Sequence, residues 1–369
     1  MKSEIITTWR GVDALGGEWN TLLRESDANT IFLTWEWISA WRRTIEDSVE
    51  PFVIAVRDDT GRLAGIGPFY FSRLCLANLV PYRCLRTLGD YPTGAEYPDW
   101  IVHRSCGEKV AESIARTLAA RSADWDLMWL PLMCGWNASF ERLEIACKSA
   151  GLSMQSRPTD FSAIPLPSTY PEYEKMLSKN VRDELKRSFR VVVGRSGAKF
   201  ELCDRPERIP EYLEAMFDLN ARRWASAGAV GTFVRKPLEA RFYHEFSPTA
   251  LEHDWLFLSA LRIHDTIMAV DVGYIYDGRF YALQGGFDPG GPKNMGHVQR
   301  KFIVEKLIDR GIREFDFLGT VTDYKRRYGA RERFGYQVLV GSPGWLTTPL
   351  LAAGFWPTGR YMQFRGLPS

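Results

Sequence analysis

The segment of this chain best suited to hold an anion is QGGFDPGGPKNMG at 284–296. It reads as a strand running into a glycine-rich loop that feeds a helix. Glycines let a phosphate approach the main chain closely. A helix capped by Asn294 would aim its free N–H groups and positive dipole end into the loop, and Lys293 adds a cation. An ordinary strand–helix connection has the same spacing. Gly285 and Gly286 end the strand. A glycine there marks a bulge, whose freed N–H can stabilise an oxyanion during acyl transfer, or simply a close backbone approach. Acyl transfer from a thioester also requires the attacking amine or hydroxyl to lose a proton. Asp271 lies in the apolar run AVDVGY, where a carboxylate is costly to bury unless it is paired with an arginine or functional. Lys325 follows a strand expected near 313–318, at a position where α/β sheets place ligands; it reads equally as a surface lysine of a KRR run.

Other chemistries lose their main support. The chain has no GxSxG elbow, Walker loop, dinucleotide GxGxxG or HExxH motif. Its six cysteines (75, 84, 106, 134, 147, 203) and five histidines lack metal-ligand spacing, so no metal is expected. Lys plus Arg total 47 against 45 Asp plus Glu, a net charge of +2. No whole-molecule field draws this chain to nucleic acid or an anionic membrane, so any anion site must be local. The N-terminus MKSEIITTWRG has no apolar targeting core, and no run of about 18 apolar residues occurs. A cytoplasmic protein with reduced thiols is expected.

The elements that must position these residues follow from periodicity. Helices are predicted over 31–45, with Thr34 as N-cap, and over 108–121, 139–150, 171–178, 180–192, 207–226, 235–249 and 297–310. Strands are predicted over 52–57, 62–71, 126–130, 255–263, 266–276, 279–287, 313–318 and 334–340, with a tight turn at Asp277-Gly278. Residues 86–99 read as a loop. The two halves echo each other: R-x5-LAGIGPF at 57–69 and R-x5-MAVDVGY at 262–274, each followed by a helix and a short apolar strand. Lys179, Arg182, Lys186 and Arg190 form a basic helical stripe, either solvated or facing phosphates. The tail carries Trp345, Leu350, Leu351, Phe355, Trp356, Arg360, Tyr361 and Arg365, a composition suited to packing on the body or to touching a membrane surface.

These features resemble the GNAT acetyltransferase superfamily, and within it the CelD-like family of cellulose and exopolysaccharide biosynthesis, which is similar in turn to Fem-type aminoacyl transferases. The residues carrying the resemblance are Tyr281, GGFDP at 285–289, Gly296, Gly311, Asp316, Gly319, Asp323-Tyr324-Lys325 and Tyr328-Gly329. KNVRDELKRSFR at 179–190, FLTWEWISAW and Asp99 of YPDWIV match upstream. The resemblance implies tandem GNAT-like domains, each with a mixed, mostly antiparallel sheet flanked by helices. They are expected over 1–165 and 166–345, with 346–369 packing on the body. It implies an acyl-CoA-dependent N- or O-acyltransferase acting on a small-molecule amine or hydroxyl of a sugar, amino acid or envelope precursor. The alternatives are an aminoacyl-tRNA-dependent transferase and a non-catalytic binding protein of a polysaccharide-synthesis complex. Acyl-CoA is expected as co-substrate, nucleic acid only under the tRNA alternative, and a peripheral membrane contact is left open. Lys325 takes from the resemblance a place facing the transfer centre, with Tyr324, Asp271 and Asp99 as further catalytic candidates. Gly285, Gly286, Phe287, Lys293, Asn294, Gly296 and His297 are the expected donor-binding residues.

Overall fold

A computed structural model describes every residue except 78, 227, 345, 346, 358–361 and 366–369, and describes 348, 349, 362, 363 and 365 by backbone alone. In chain order the strands are β1 (Lys2–Ile6), β2 (Pro51–Arg57), β3 (Leu63–Leu76), β4 (Val80–Thr87), β5 (Ile101–Val102), β6 (Leu127–Cys134) and β7 (Ser153–Pro165). They continue as β8 (Lys199–Leu202), β9 (Leu256–Ile263), β10 (Thr266–Tyr276), β11 (Arg279–Phe287), β12 (Glu314–Asp316), β13 (Arg331–Gly341) and β14 (Met362–Arg365). The helices are α1 (Trp9–Asp13), α2 (Gly16–Arg24), α3 (Trp35–Ile45), α4 (Gly107–Ala120), α5 (Ser139–Ser149), α6 (Tyr170–Met176) and α7 (Lys179–Phe189). Then come α8 (Ile209–Ser226), α9 (Thr232–Arg235), α10 (Pro237–Glu252), α11 (Met295–Asp309), α12 (Asp323–Arg327) and α13 (Thr347–Ala352).

The chain forms two compact units, one of Met1–Thr159 with Phe334–Ser369 and one of Asp160–Arg333. The divisions expected at 165/166 and 345/346 therefore fall at 159/160 and 333/334. Pro165 lies inside β7, paired with Glu314 of β12, and residues 335–341 of β13 pair with β6. In the first unit the strand order is β1-β2-β3-β4-β6-β13, with β5 and β14 also on β3. Its pairs are antiparallel except β4 with β6. Thr34 caps α3 as expected, its Oγ1 accepting from Trp37 N at 3.2 Å. Trp37, Ile38, Trp41 and Ile45, at helical spacing, form the buried face. Leu350, Leu351 and Trp356 of the tail are buried in a cluster with Trp129 and Leu339. The expected tail residues Trp345, Arg360 and Tyr361 lie outside the described residues, as does the Arg365 side chain.

In the second unit the order is β7-β12-β11-β10-β9-β8. The hairpin from β10 to β11 turns through Asp277 (φ 49°) and Gly278 (φ 73°), the left-handed pair that a twisted two-residue turn requires. β12 runs parallel to β11 but only along Arg279–Tyr281. Among the described residues β11 then continues to Phe287 with β10 as its sole strand partner. Side chains alternate faces along β11. Gly285 faces Asp271, whereas a Cβ on Gly286 would meet Leu219, Asn220 and Met216 of α8. Helix α11 covers the Asp271 face, burying Val298, Ile303, Val304 and Leu307. Phe257, Phe280 and Phe315 stack edge-on beneath it at 5.2 and 4.8 Å. Each unit thus has an antiparallel strand series, then a loop, a helix and a strand that pairs in parallel with the last of the series. Among the described residues no helix is long and apolar enough to cross a membrane.

Candidate functional site

The C-terminal end of β11, the loop that follows it and the head of α11 enclose a cavity of about 590 Å³ within the second unit. Nine of the residues singled out from sequence line it: Asp271, Gly285, Gly286, Phe287, Lys293, Asn294, Gly296, His297 and Tyr324. Arg223, Gln299 and Arg300 join them without having been expected.

Asp271 shares a strand pair with Gly285, whose missing side chain makes room for the carboxylate; a Cβ there would stand 2.4 Å from Asp271 Oδ1. The arginine partner that an apolar strand demands is Arg300, with Nη2 3.7 Å from Asp271 Oδ1. Loss of solvation pushes the Asp271 pKa up to about 6, and Arg300 and Arg223 restrain the rise. The Arg300 guanidinium lies over the rings of Phe315 (5.0 Å) and Phe317 (5.2 Å), and its Nε and Nη1 have no hydrogen-bond partner. Burial disfavours its charge, but Tyr324, Asp271 and Tyr328 outweigh that effect and raise its pKa. A cation, a carboxylate in its basic form at neutral pH and an exposed tyrosine therefore meet on one wall. Gln299 is fully buried and donates to Ser259 O at 3.2 Å, tying α11 to β9. Arg300 had a sequence signal: it lies one turn beyond Gly296 and His297, on the helix face they begin.

The register slips between Ala282 and Gln284, leaving Leu283 unpaired, so the bulge lies just ahead of Gly285 and Gly286, which mark close approaches. Asn294 occupies the N-cap position in a left-handed conformation (φ 67°). Its side chain does not cap α11 as expected but donates to Ser188 Oγ of α7 at 3.0 Å. His297 N already donates to Asn294 O, so the amides of Met295 and Gly296 are the ones left without an intrahelical acceptor. No acidic residue lies in that first turn. A Cβ on Gly296 would enter open space. The half-buried His297 packs on Tyr324 and Tyr328, and burial lowers its pKa, which keeps it neutral at pH 7. Phe287 lies under the Arg223 guanidinium at 5.0 Å. Asp288, also on the cavity wall, pairs with Arg222 at 3.1 Å.

Lys325 is not among the cavity residues. Its Nζ donates to the carbonyls of Leu318 and, at 2.8 Å, Thr320. It thereby fixes the turn in which Leu318 and Gly319 have positive φ. On the basic stripe, Arg182 likewise donates to the Leu177 carbonyl.

Asp99 belongs to the first unit. It is 6% exposed and accepts from Trp100 N at 2.7 Å. Burial pushes its pKa up to about 7, against hydrogen bonds from Ser139 and Trp100 that lower it. The folded state thus holds a proton that the unfolded state releases near pH 4, so stability falls as pH rises from about 4 to about 7. Asp99→Asn, which keeps the acceptor for Trp100, should remove that slope in urea melts taken across this range.

Residues 179–326 match the family model described as "Acetyltransferase (GNAT) domain". No curated protein matches the chain by sequence. Among solved structures, FemX superposes with a TM-score of 0.67 at 10% identity, covering 96% of this chain and 99% of that one. The C-terminal domain of a putative lysylphosphatidylglycerol synthetase from Agrobacterium fabrum gives a TM-score of 0.53 at 11% identity, covering 93% and 96%. L-PGS from Bacillus licheniformis gives 0.50 at 11%, covering 92% and 96%. At these identities the likeness is one of fold.

Proposed function

We propose that this chain is an acyltransferase that takes its acyl group from an acyl-CoA. The acceptor is an amine or hydroxyl of a sugar, amino acid or envelope precursor; the sequence resemblance favours a polysaccharide precursor. The single observation that carries the reading is the convergence in one cavity of an acid-free helix head and the Asp271–Arg300 pair at the end of β11. The GNAT match over 179–326 supports the same chemistry.

The residues present suit such a donor. The amides of Met295 and Gly296, with Lys293, suit a diphosphate, and the open space beside Gly296 leaves it room. An acyl-CoA supplies an acyl carbon activated as a thioester. Asp271 takes the proton of the attacking amine or hydroxyl on its carboxylate. Arg300 keeps that carboxylate ionised near neutrality. Tyr324, on the cavity wall and electrostatically coupled to Arg300, is the hydroxyl placed to return a proton to the leaving sulfur. Lys325 shapes the neighbouring turn, and Asp99 acts on the stability of the first unit.

A thermal melt with CoA or acetyl-CoA tests the reading. At about 100 times Kd the ligand stabilises by about 2.7 kcal/mol, a shift of a few degrees. Gly296→Val should weaken CoA binding by about tenfold or more, by filling space that ligand needs. No shift at saturating CoA would remove CoA as donor. Binding of charged aminoacyl-tRNA by the same protein would move the reading to the tRNA alternative.

A further inference from the structure

We propose that Trp224 at the end of α8, Val230 just ahead of α9 and Val234 in α9 dock on an anionic phospholipid bilayer. Three large apolar side chains stand in solvent along this one short segment: Trp224 is 38% exposed, Val230 54% and Val234 66%. Between residues 222 and 236 the chain carries Arg222, Arg223, Arg235 and Lys236 and no acidic residue. Arg222 is engaged by Asp218 at 2.7 Å and Asp288 at 3.1 Å, and Lys236 lies 3.7 Å from Glu239. Arg223 and Arg235, and Lys293 on the cavity wall, make no ion pair among the described residues.

The exposure is built into the fold. Phe233 is buried and packs on Phe217 (4.5 Å) and Tyr243 (6.0 Å). Thr232 N donates to Asn220 Oδ1 at 3.0 Å, and Asn220 is itself buried. A Cβ on Gly231 would stand 2.9 Å from Ala221 Cα, so the chain at Gly231 lies tight against α8. Held in this way, Trp224, Val230 and Val234 cannot fold into the core. Trp favours the bilayer interface, valines suit its apolar boundary, and unpaired arginines suit anionic headgroups. Exposed valines gain nothing from a nucleic-acid backbone, and so few free cations make a poor phosphate track. Arg223, in the last turn of α8 next to Trp224, also lines the cavity, so docking brings the rim of the cavity to the headgroups.

Co-sedimentation of the full chain with phosphatidylcholine vesicles, and with equal parts phosphatidylcholine and phosphatidylglycerol, tests this directly. Partitioning should be about tenfold or more stronger on the anionic vesicles and should weaken as salt rises. Trp224→Ser with Val234→Ser should lower it at least tenfold (about one buried apolar side chain's worth), and Arg235→Ala by about fivefold. Val234→Ser alone is the second variant, since so exposed a side chain contributes little to folding, and it should also weaken partitioning. Absence of partitioning on anionic vesicles would overturn the proposal. So would partitioning unchanged in all these variants, or salt-sensitive RNA binding that depends on the same residues without vesicle binding. Vesicle binding needs no donor, so its failure leaves the acyl-transfer reading untouched and the reverse also holds.

Discussion

Asp271→Asn should lower kcat by about 10²–10⁴-fold and leave CoA binding near that of the parent. The variant keeps the shape of the side chain and its place opposite Gly285 but cannot accept the proton. The pH profile gives a second readout. A base with a pKa of about 6 must be deprotonated to act, so kcat/KM in the parent should fall about tenfold per pH unit below that value. The asparagine variant should lose this limb. Arg300→Met should move it upward, because Arg300 is the nearest charge lowering the Asp271 pKa. Parent-like kcat in Asp271→Asn would end its role as the base.

Gly285→Ala should cost about 10–100-fold in kcat with little change in KM for the donor. Its new methyl would stand 2.4 Å from Asp271 Oδ1 and 3.3 Å from Val270 O, so the carboxylate must move. Displacements of about 1 Å at a reacting group cost on that order. Gly286→Ala is the informative contrast. Its methyl would press on Leu219, Asn220 and Met216 at 3.0–3.2 Å, on the face away from Asp271. That change should lower Tm through overpacking, about 1–3 kcal/mol, more than it alters turnover. Steady-state kinetics and thermal melts on the two variants separate the effects; equal kinetic loss in both would mean that Asp271 does not set the rate.

The site was readable where its signals are local. β10, the Asp277-Gly278 turn, β11 and the glycine-rich loop follow one another in sequence, and alternation and turn chemistry suffice to place them. Long-range contacts hid the rest. β7 carries Arg157, Pro158 and Pro165 and is a strand because of its distant partners, not its own composition. β4, with Pro81, Arg83 and Arg86, pairs with its sequence neighbour β3, but its own composition does not read as a strand. Asn294 has the composition of a cap, but Ser188, far away in sequence, takes its amide. Lys325 was read as solvated or facing the transfer centre; its ammonium instead answers carbonyls of a turn whose left-handed residues the sequence did not announce. An arginine stacked on two phenylalanines is written with the same letter as a solvated one, so the spacing of Arg300 from Gly296 could place it on the helix face, but its stacking came only with the packing of β12 under α11.

The return of residues 335–341 to pair with β6 has a consequence for biosynthesis. Asp160–Arg333 leaves the ribosome as one uninterrupted stretch and can close its sheet while translation continues. The first unit must wait with the edge of β6 unsatisfied until residues 335–341 have followed. Vectorial synthesis therefore completes the later-made half before the earlier one.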